Sequence, residues 1–117
     1  MVLVYMFAFN EIRGSGEAVT IHAFTRLVND DSAQVVDLRE AKEYREGHIV
    51  DTINIPYAKL DDQLVQLKQD KIIILVDKMG QHTGPASKRL KKQGYTVARL
   101  KGGIMEWRAQ NLPLVAV

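Results

Sequence analysis

The sequence predicts an α/β domain built on a mainly parallel sheet with helices on both faces. Three observations predict it. Short apolar runs of strand length alternate with segments of helical periodicity along most of the chain. One run, Ile72-Ile73-Ile74-Leu75-Val76, is apolar without interruption, the pattern of a strand buried on both faces. That run then feeds a glycine-bearing loop, Asp77 to Gly84, and a helix opening at Pro85.

The elements follow in order. Val19-Thr20-Ile21 is a short extended stretch, and Thr20 can cap a helix in which Ile21, Phe24, Leu27 and Val28 share one face, ending near Asn29-Asp30. Ala33 to Leu38 is a valine-rich strand followed by Arg39. Glu40 to Arg45 is a polar helical turn that ends at Gly47. Thr52 to Ile55 is a brief strand stopped by Pro56. Leu60, Leu64 and Leu67 stand at i, i+4 and i+7, which predicts an amphipathic helix over Ala58 to Lys68. After the strand Lys71 to Val76, Pro85 suits the first turn of a helix and Gly94 its C′ position. Val97 to Leu100 is the last strand. Gly102-Gly103 then opens a terminal helix carrying Ile104, Met105 and Trp107, which stops before Asn111-Leu112-Pro113. Met79 and Trp107 are expected to pack inside.

Composition bounds the chemistry. The 117 residues make one domain with room for a core. Residues 1–16 read as an apolar N-terminal arm and linker, and 17–117 as the domain. Met1 to Phe9 is apolar throughout but far shorter than the about 20 residues that span a bilayer. Three readings of it stay open: an extra strand or packing arm, the stub of a membrane anchor lying before Met1, or an apolar tail. The second implies a cytoplasmic domain tethered to the inner membrane. A net charge of +2 is too small to argue for nucleic acid. The cations are uneven, however, with Lys88, Arg89, Lys91, Lys92, Arg99 and Lys101 in the last third. They suit either a solvated helix face or an anion-steering surface. With no cysteine, disulfides, thiolate metal sites and thiol catalysis are excluded together. His22, His48 and His82 lack metal-ligand spacing, so neither a metal nor a cofactor is expected.

The loop Asp77-Lys78-Met79-Gly80-Gln81-His82-Thr83 is the candidate site. A strand, a glycine-bearing loop and a helix N-terminus turn successive N–H groups inward toward an anion. Its first residue, where such a loop would carry a nucleophile, is an aspartate. Asp37, Arg39 and His48 are candidates for a structural hydrogen-bond network, and Gly102-Gly103 for a turn before the last helix.

The order of these signals resembles the rhodanese-homology domain. The matching pieces are Val36-Asp37-Leu38-Arg39, Gly47-His48-Ile49, Ile53-Asn54-Ile55-Pro56, the strand-loop-helix of Ile72 to Gly94, and Leu100-Lys101-Gly102-Gly103-Ile104-Met105-Glu106-Trp107. The resemblance implies a single α/β domain around a five-stranded, mostly parallel sheet. In active members the loop begins with a cysteine whose thiolate holds a sulfane sulfur as a persulfide. Here Asp77 takes that position, Gly80 matches the loop glycine, Thr83 falls where a small hydroxyl residue is frequent, and His82 stands where an arginine often binds the substrate. A carboxylate has no polarizable sulfur and cannot carry a persulfide. The resemblance therefore implies a domain with no catalytic residue, in which Asp77 fills the anion site with its own side chain. It would act as an interaction or regulatory module for an unidentified protein partner, as a monomer or weak dimer. The alternative is a sulfurtransferase-family domain that still binds small sulfur-containing anions.

Overall fold

The structure, a computed structural model, describes residues 17–117. The apolar run Met1 to Phe9 and the linker after it lie outside the described residues. Five strands form one parallel sheet in the order β1-β5-β4-β2-β3: β1 Ala18–Val19, β2 Ala33–Asp37, β3 Ile53–Asn54, β4 Ile72–Val76 and β5 Thr96–Leu100. Four α-helices connect or follow them: α1 Ile21–Asn29, α2 Ala41–Glu46, α3 Thr83–Lys92 and α4 Gly103–Ala109. Parallel neighbours need crossovers, and the helices supply them.

The strand pleat divides the core in two. Ile72, Ile74 and Val76 of β4 pack on one face with Phe24 and Leu27 of α1 and with Ile104 and Trp107 of α4. The rings of Phe24 and Trp107 meet edge-on at 5.6 Å there. Ile73 and Leu75 point to the opposite face, against Leu60, Leu67, Ala86 and Leu90. The unbroken apolar run of β4 thus serves both layers, and all its residues are buried.

Thr20 caps α1 as its side chain accepts from the Ala23 amide at 3.2 Å. The strand ends two residues sooner than the sequence predicts, because Thr20 is spent on the cap and Ile21 is already helical. α3 opens at Thr83, not at Pro85, so the proline occupies its third position, where the missing N–H is still one of the unpaired first-turn donors. The predicted helix over Ala58 to Lys68 is corrected to two 3₁₀ segments, Tyr57–Asp62 and Leu64–Gln66. The Gln34 side chain on β2 explains why. Its amide donates to the Gln66 carbonyl and accepts from the Lys68 N–H, both at 2.8 Å, which ties the end of the stretch to the sheet and leaves Leu67 extended where a helix would continue. Leu60 and Leu67 are still buried and Leu64 half-buried, so the leucine spacing marks anchors without making a helix.

The C-terminal segment closes the fold from outside the sheet. His48 and Val115 exchange two backbone hydrogen bonds at 2.8 Å as an antiparallel bridge, and the Trp107 indole N–H donates to the Pro113 carbonyl at 2.9 Å. Among the described residues no helix is long and apolar enough to cross a membrane.

Candidate functional site

From β2 the chain proceeds outward to β3, and from β4 outward to β5, so the topology switches between these two central strands. Open parallel sheets place ligands at the carboxyl ends of strands at such a point. The segments leaving β2 and β4 there are Leu38-Arg39 and the Asp77 loop. The Leu38 N–H donates to the Val76 carbonyl at 2.8 Å and ties the two together.

Asp77 is buried, at 2% exposure. Its Oδ1 accepts from the Lys78 N–H and its Oδ2 from the His82 N–H, both at 2.7 Å. A third loop amide, that of Met79, donates to Oε1 of Gln81 at 3.0 Å. Three amides of the loop are therefore satisfied by side chains of the loop itself. Carboxylate hydrogen bonds of this length are charge-assisted, about twice as strong as neutral ones. Thr83 is buried, and its hydroxyl donates to the Gly80 carbonyl at 3.1 Å. His82 is the N-cap residue of α3, and its ring stacks on Tyr57 at 4.5 Å and 6°. The Arg89 guanidinium lies 5.0 Å from the Tyr57 ring centroid and 3.5 Å from the Asp61 carboxylate. Lys78 is exposed. Met79, expected inside, is 58% exposed and is corrected to a surface residue, because its loop turns outward between the Asp77 and Gln81 contacts. Trp107 is buried as expected.

α4 holds the loop from behind. The Ile104 N–H donates to the Asp77 carbonyl at 2.9 Å and the Met105 N–H to that of Lys78 at 3.0 Å. These are unpaired first-turn donors of a helix, so the loop caps α4 as α4 braces the loop. Gly103 makes the approach feasible: at φ +62°, a Cβ there would overlap the Asp77 carbonyl oxygen. This contact spans about a quarter of the chain, and the Gly-Gly pair alone did not reveal it.

Asp37 and Arg39 form a separate buried pair, whereas His48, also buried, is held apart from them by Tyr44 and Val115. Arg39 donates from Nε and a terminal nitrogen to the two Asp37 oxygens at 3.0 and 2.9 Å, and the same nitrogen reaches the Gly47 carbonyl at 2.7 Å. Both members are almost fully buried. Asn54, part of the Ile53-Asn54-Ile55-Pro56 motif but not a candidate site residue, donates to the carbonyls of Asp37 and Arg39 at 3.0 and 2.9 Å. A polar residue in a short strand ahead of Pro56 was the available signal. His48 stacks on Tyr44 at 3.8 Å, with Nδ1 2.6 Å from the Tyr44 carbonyl oxygen. Among the described residues no group of three histidine, aspartate or glutamate side chains is placed to hold a metal ion. At the opposite, N-terminal end of the strands a polar cleft of 330 Å³ contains Lys68, Asp51 and the Lys71–Asp31 pair. There the Lys71 ammonium, 2.8 Å from Asp31, holds the Asp31 carboxyl below the usual carboxylate range.

A parallel sheet with an amide-bearing loop and a helix N-terminus after its central strand defines an α/β domain whose candidate site is that loop. Residues 20–110 match the rhodanese-like domain, and the chain belongs to that family. The chain is 34% identical over 119 residues to the uncharacterized protein YibN of Escherichia coli K12, covering 98% of this chain and 83% of the relative. It is 29% identical over 92 residues to a protein of Allochromatium vinosum named sulfurtransferase, covering 78% of this chain and 86% of that one. Its fold superposes on the crystal structure of a rhodanese-related protein from Thermoplasma volcanium with a TM-score of 0.79, at 25% identity, covering 86% of this chain and 99% of the other.

Proposed function

We propose that this chain is a catalytically silent rhodanese-like domain that serves as a protein-interaction or regulatory module. One observation carries the reading. The loop opens with a buried carboxylate whose two oxygens already accept from the Lys78 and His82 amides, in a chain without cysteine. Sulfur transfer needs a polarizable nucleophile that can hold a sulfane sulfur and release it, and a carboxylate does neither. Three loop amides that could face an anionic substrate, those of Lys78, Met79 and His82, are engaged by Asp77 and Gln81. The Allochromatium vinosum relative is named sulfurtransferase, and the loop geometry supports loss of such a reaction with retention of the frame.

A thiosulfate-to-cyanide assay on the purified chain tests this directly. No thiocyanate above the protein-free rate is expected, and measurable turnover sinks the proposal. The variant Asp77→Cys asks whether the frame survives. Mass spectrometry after thiosulfate treatment is expected to show a one-sulfur adduct, with sulfite released as the thiolate takes the sulfane sulfur. A cytoplasmic domain tethered to the inner membrane, one of the three readings of the apolar run Met1 to Phe9, is part of this proposal. Release of the native protein from membranes by alkaline carbonate would contradict the tether.

A further inference from the structure

We propose that residues 112–117 form a strap that sets the tightness of the Asp77 loop through α4. When the strap leaves its seat on Arg45 and His48, α4 frays and the loop it braces loosens. The device acts on the loop frame itself, so it does not depend on the loop being silent in sulfur transfer.

α4 is a helix of seven residues, about two turns. A helix that short does not persist in water on its own, so its contacts decide whether it stays wound. They come from the core and from both of its ends. Ile104 and Trp107 bury their side chains in the core. At the N-terminal end the Ile104 and Met105 amides donate to the Asp77 and Lys78 carbonyls at 2.9 and 3.0 Å. At the C-terminal end the chain entering the strap supplies the cap. The Asn111 N–H donates to the Arg108 carbonyl at 2.9 Å, and the Leu112 N–H to that of Trp107 at 3.2 Å. Asn111 has φ +58°, so these bonds make a Schellman motif with asparagine at its left-handed position. The Trp107 indole N–H adds a bond to the Pro113 carbonyl at 2.9 Å. The loop and the strap therefore hold opposite ends of one short helix.

The strap is seated by bonds that can be lost together. Val115 and His48 exchange two backbone bonds at 2.8 Å, and the Val117 N–H donates to the Arg45 carbonyl at 3.0 Å. That bridge is isolated and lies outside the five-stranded sheet. Leu112 and Leu114 are half-buried against the core, and Leu114 lies over Gly47, 3.6 Å from where a Cβ would stand. Residues 112–117 carry no charged side chain, and Pro113, Val115, Ala116 and Val117 are exposed. A segment held by few backbone bonds and little burial opens at a lower free energy than the sheet. Its opening takes the C-terminal cap and the indole bond from α4 in one event. In a helix of two turns the loss of one end weakens the other, so the Ile104 and Met105 donors release the loop carbonyls. Coupling of this kind is reciprocal, and loosening the loop should in turn loosen the strap.

Val115→Pro removes one donor of the bridge at an exposed position and leaves the sequence of α4 and the loop unchanged. Amide hydrogen exchange in the full chain, followed by NMR, is expected to quicken at least about tenfold at Ile104, Met105, Lys78 and His82. Amides of β4 and β5, which report global unfolding, should change by less than about threefold. Val117→Pro, which removes the bond to Arg45, should give a smaller rise at the same loop and helix amides. In Gly103→Ala, which pushes the loop away from α4, exchange at Val115 should quicken as well. Quickening confined to His48 and residues 112–117, with the loop and helix amides at their parent rates, overturns the proposal. So does an equal rise at every amide in both proline variants, which would make the strap an inseparable part of the global fold. Unchanged exchange at Val115 in Gly103→Ala overturns it too.

Discussion

Replacing Gly103 by alanine should loosen the Asp77 loop from its brace, and the size of the effect can be worked from the geometry. Two terms combine. Gly103 has φ +62°, where an L-residue costs about 1 kcal/mol relative to glycine. Its new Cβ would overlap the Asp77 carbonyl oxygen and stand 2.7 Å from that of Lys78, neither of which is the movable end of a side chain. Relief requires α4 and the loop to separate, which sacrifices the bonds from the Ile104 and Met105 amides, each worth about 1 kcal/mol net. The expected total is about 3 kcal/mol. Gly94 provides the internal control: it has φ +94°, but nothing lies within 4 Å of a Cβ there. Gly94→Ala should cost only the conformational part, about 1 kcal/mol. Urea unfolding of both variants beside the parent gives the two values, with an unchanged m-value showing that the comparison is sound. A domain of this size, stable by about 5–15 kcal/mol, should remain folded in both cases. If the two variants fall within about 0.5 kcal/mol of each other, the close approach of Gly103 to the loop is not what holds it, and the reasoning fails.

Other perturbations have defined outcomes. Arg39→Met leaves the buried Asp37 carboxylate without its partner and the Gly47 carbonyl without its donor, so a loss of about 3–5 kcal/mol is expected in urea unfolding. A loss under about 1 kcal/mol would show the pair to be dispensable. The Ser87 hydroxyl is buried in α3 without a hydrogen-bond partner, so Ser87→Ala should be neutral or stabilising by up to about 1 kcal/mol, and a clear destabilisation would contradict this. Asp31 titrates below the usual carboxylate range because Lys71 bonds to it. A depressed folded-state value means that its contribution is present above the ordinary carboxylate value and is lost as pH falls through the folded one. Lys71→Ala should move the Asp31 titration, followed by carboxyl-carbon NMR, back up toward the ordinary value, and an unmoved curve would refute the pairing.

What the sequence revealed of the fold, and what it concealed, follows from the range of the interactions. β4 was legible because a run buried on both faces needs only its own composition, and the α1 start was legible because Thr20 caps from the adjacent position. The stretch from Tyr57 to Leu67 misleads because its leucine spacing satisfies a helix, while the backbone at its end, at Gln66 and Lys68, is held by Gln34, more than 30 positions away. The same holds at the site. The loop and its aspartate could be read from local spacing, whereas the brace from Gly103, the Asn54 bonds and the bridge of His48 to Val115 depend on chain segments that meet only in the fold. Residue type alone points Met79 inside. Its loop geometry, a backbone property, decides its exposure.

The central claim is that Asp77 occupies the amide nest of its own loop and leaves no room for an anion. Titrating ¹⁵N-labelled chain with thiosulfate, in parallel with Asp77→Ala, tests it most directly. The account predicts no saturable shift of the Lys78 to Thr83 amides in the parent and a saturable shift of those of Lys78 and His82 in the variant. Saturable shifts in the parent would contradict it.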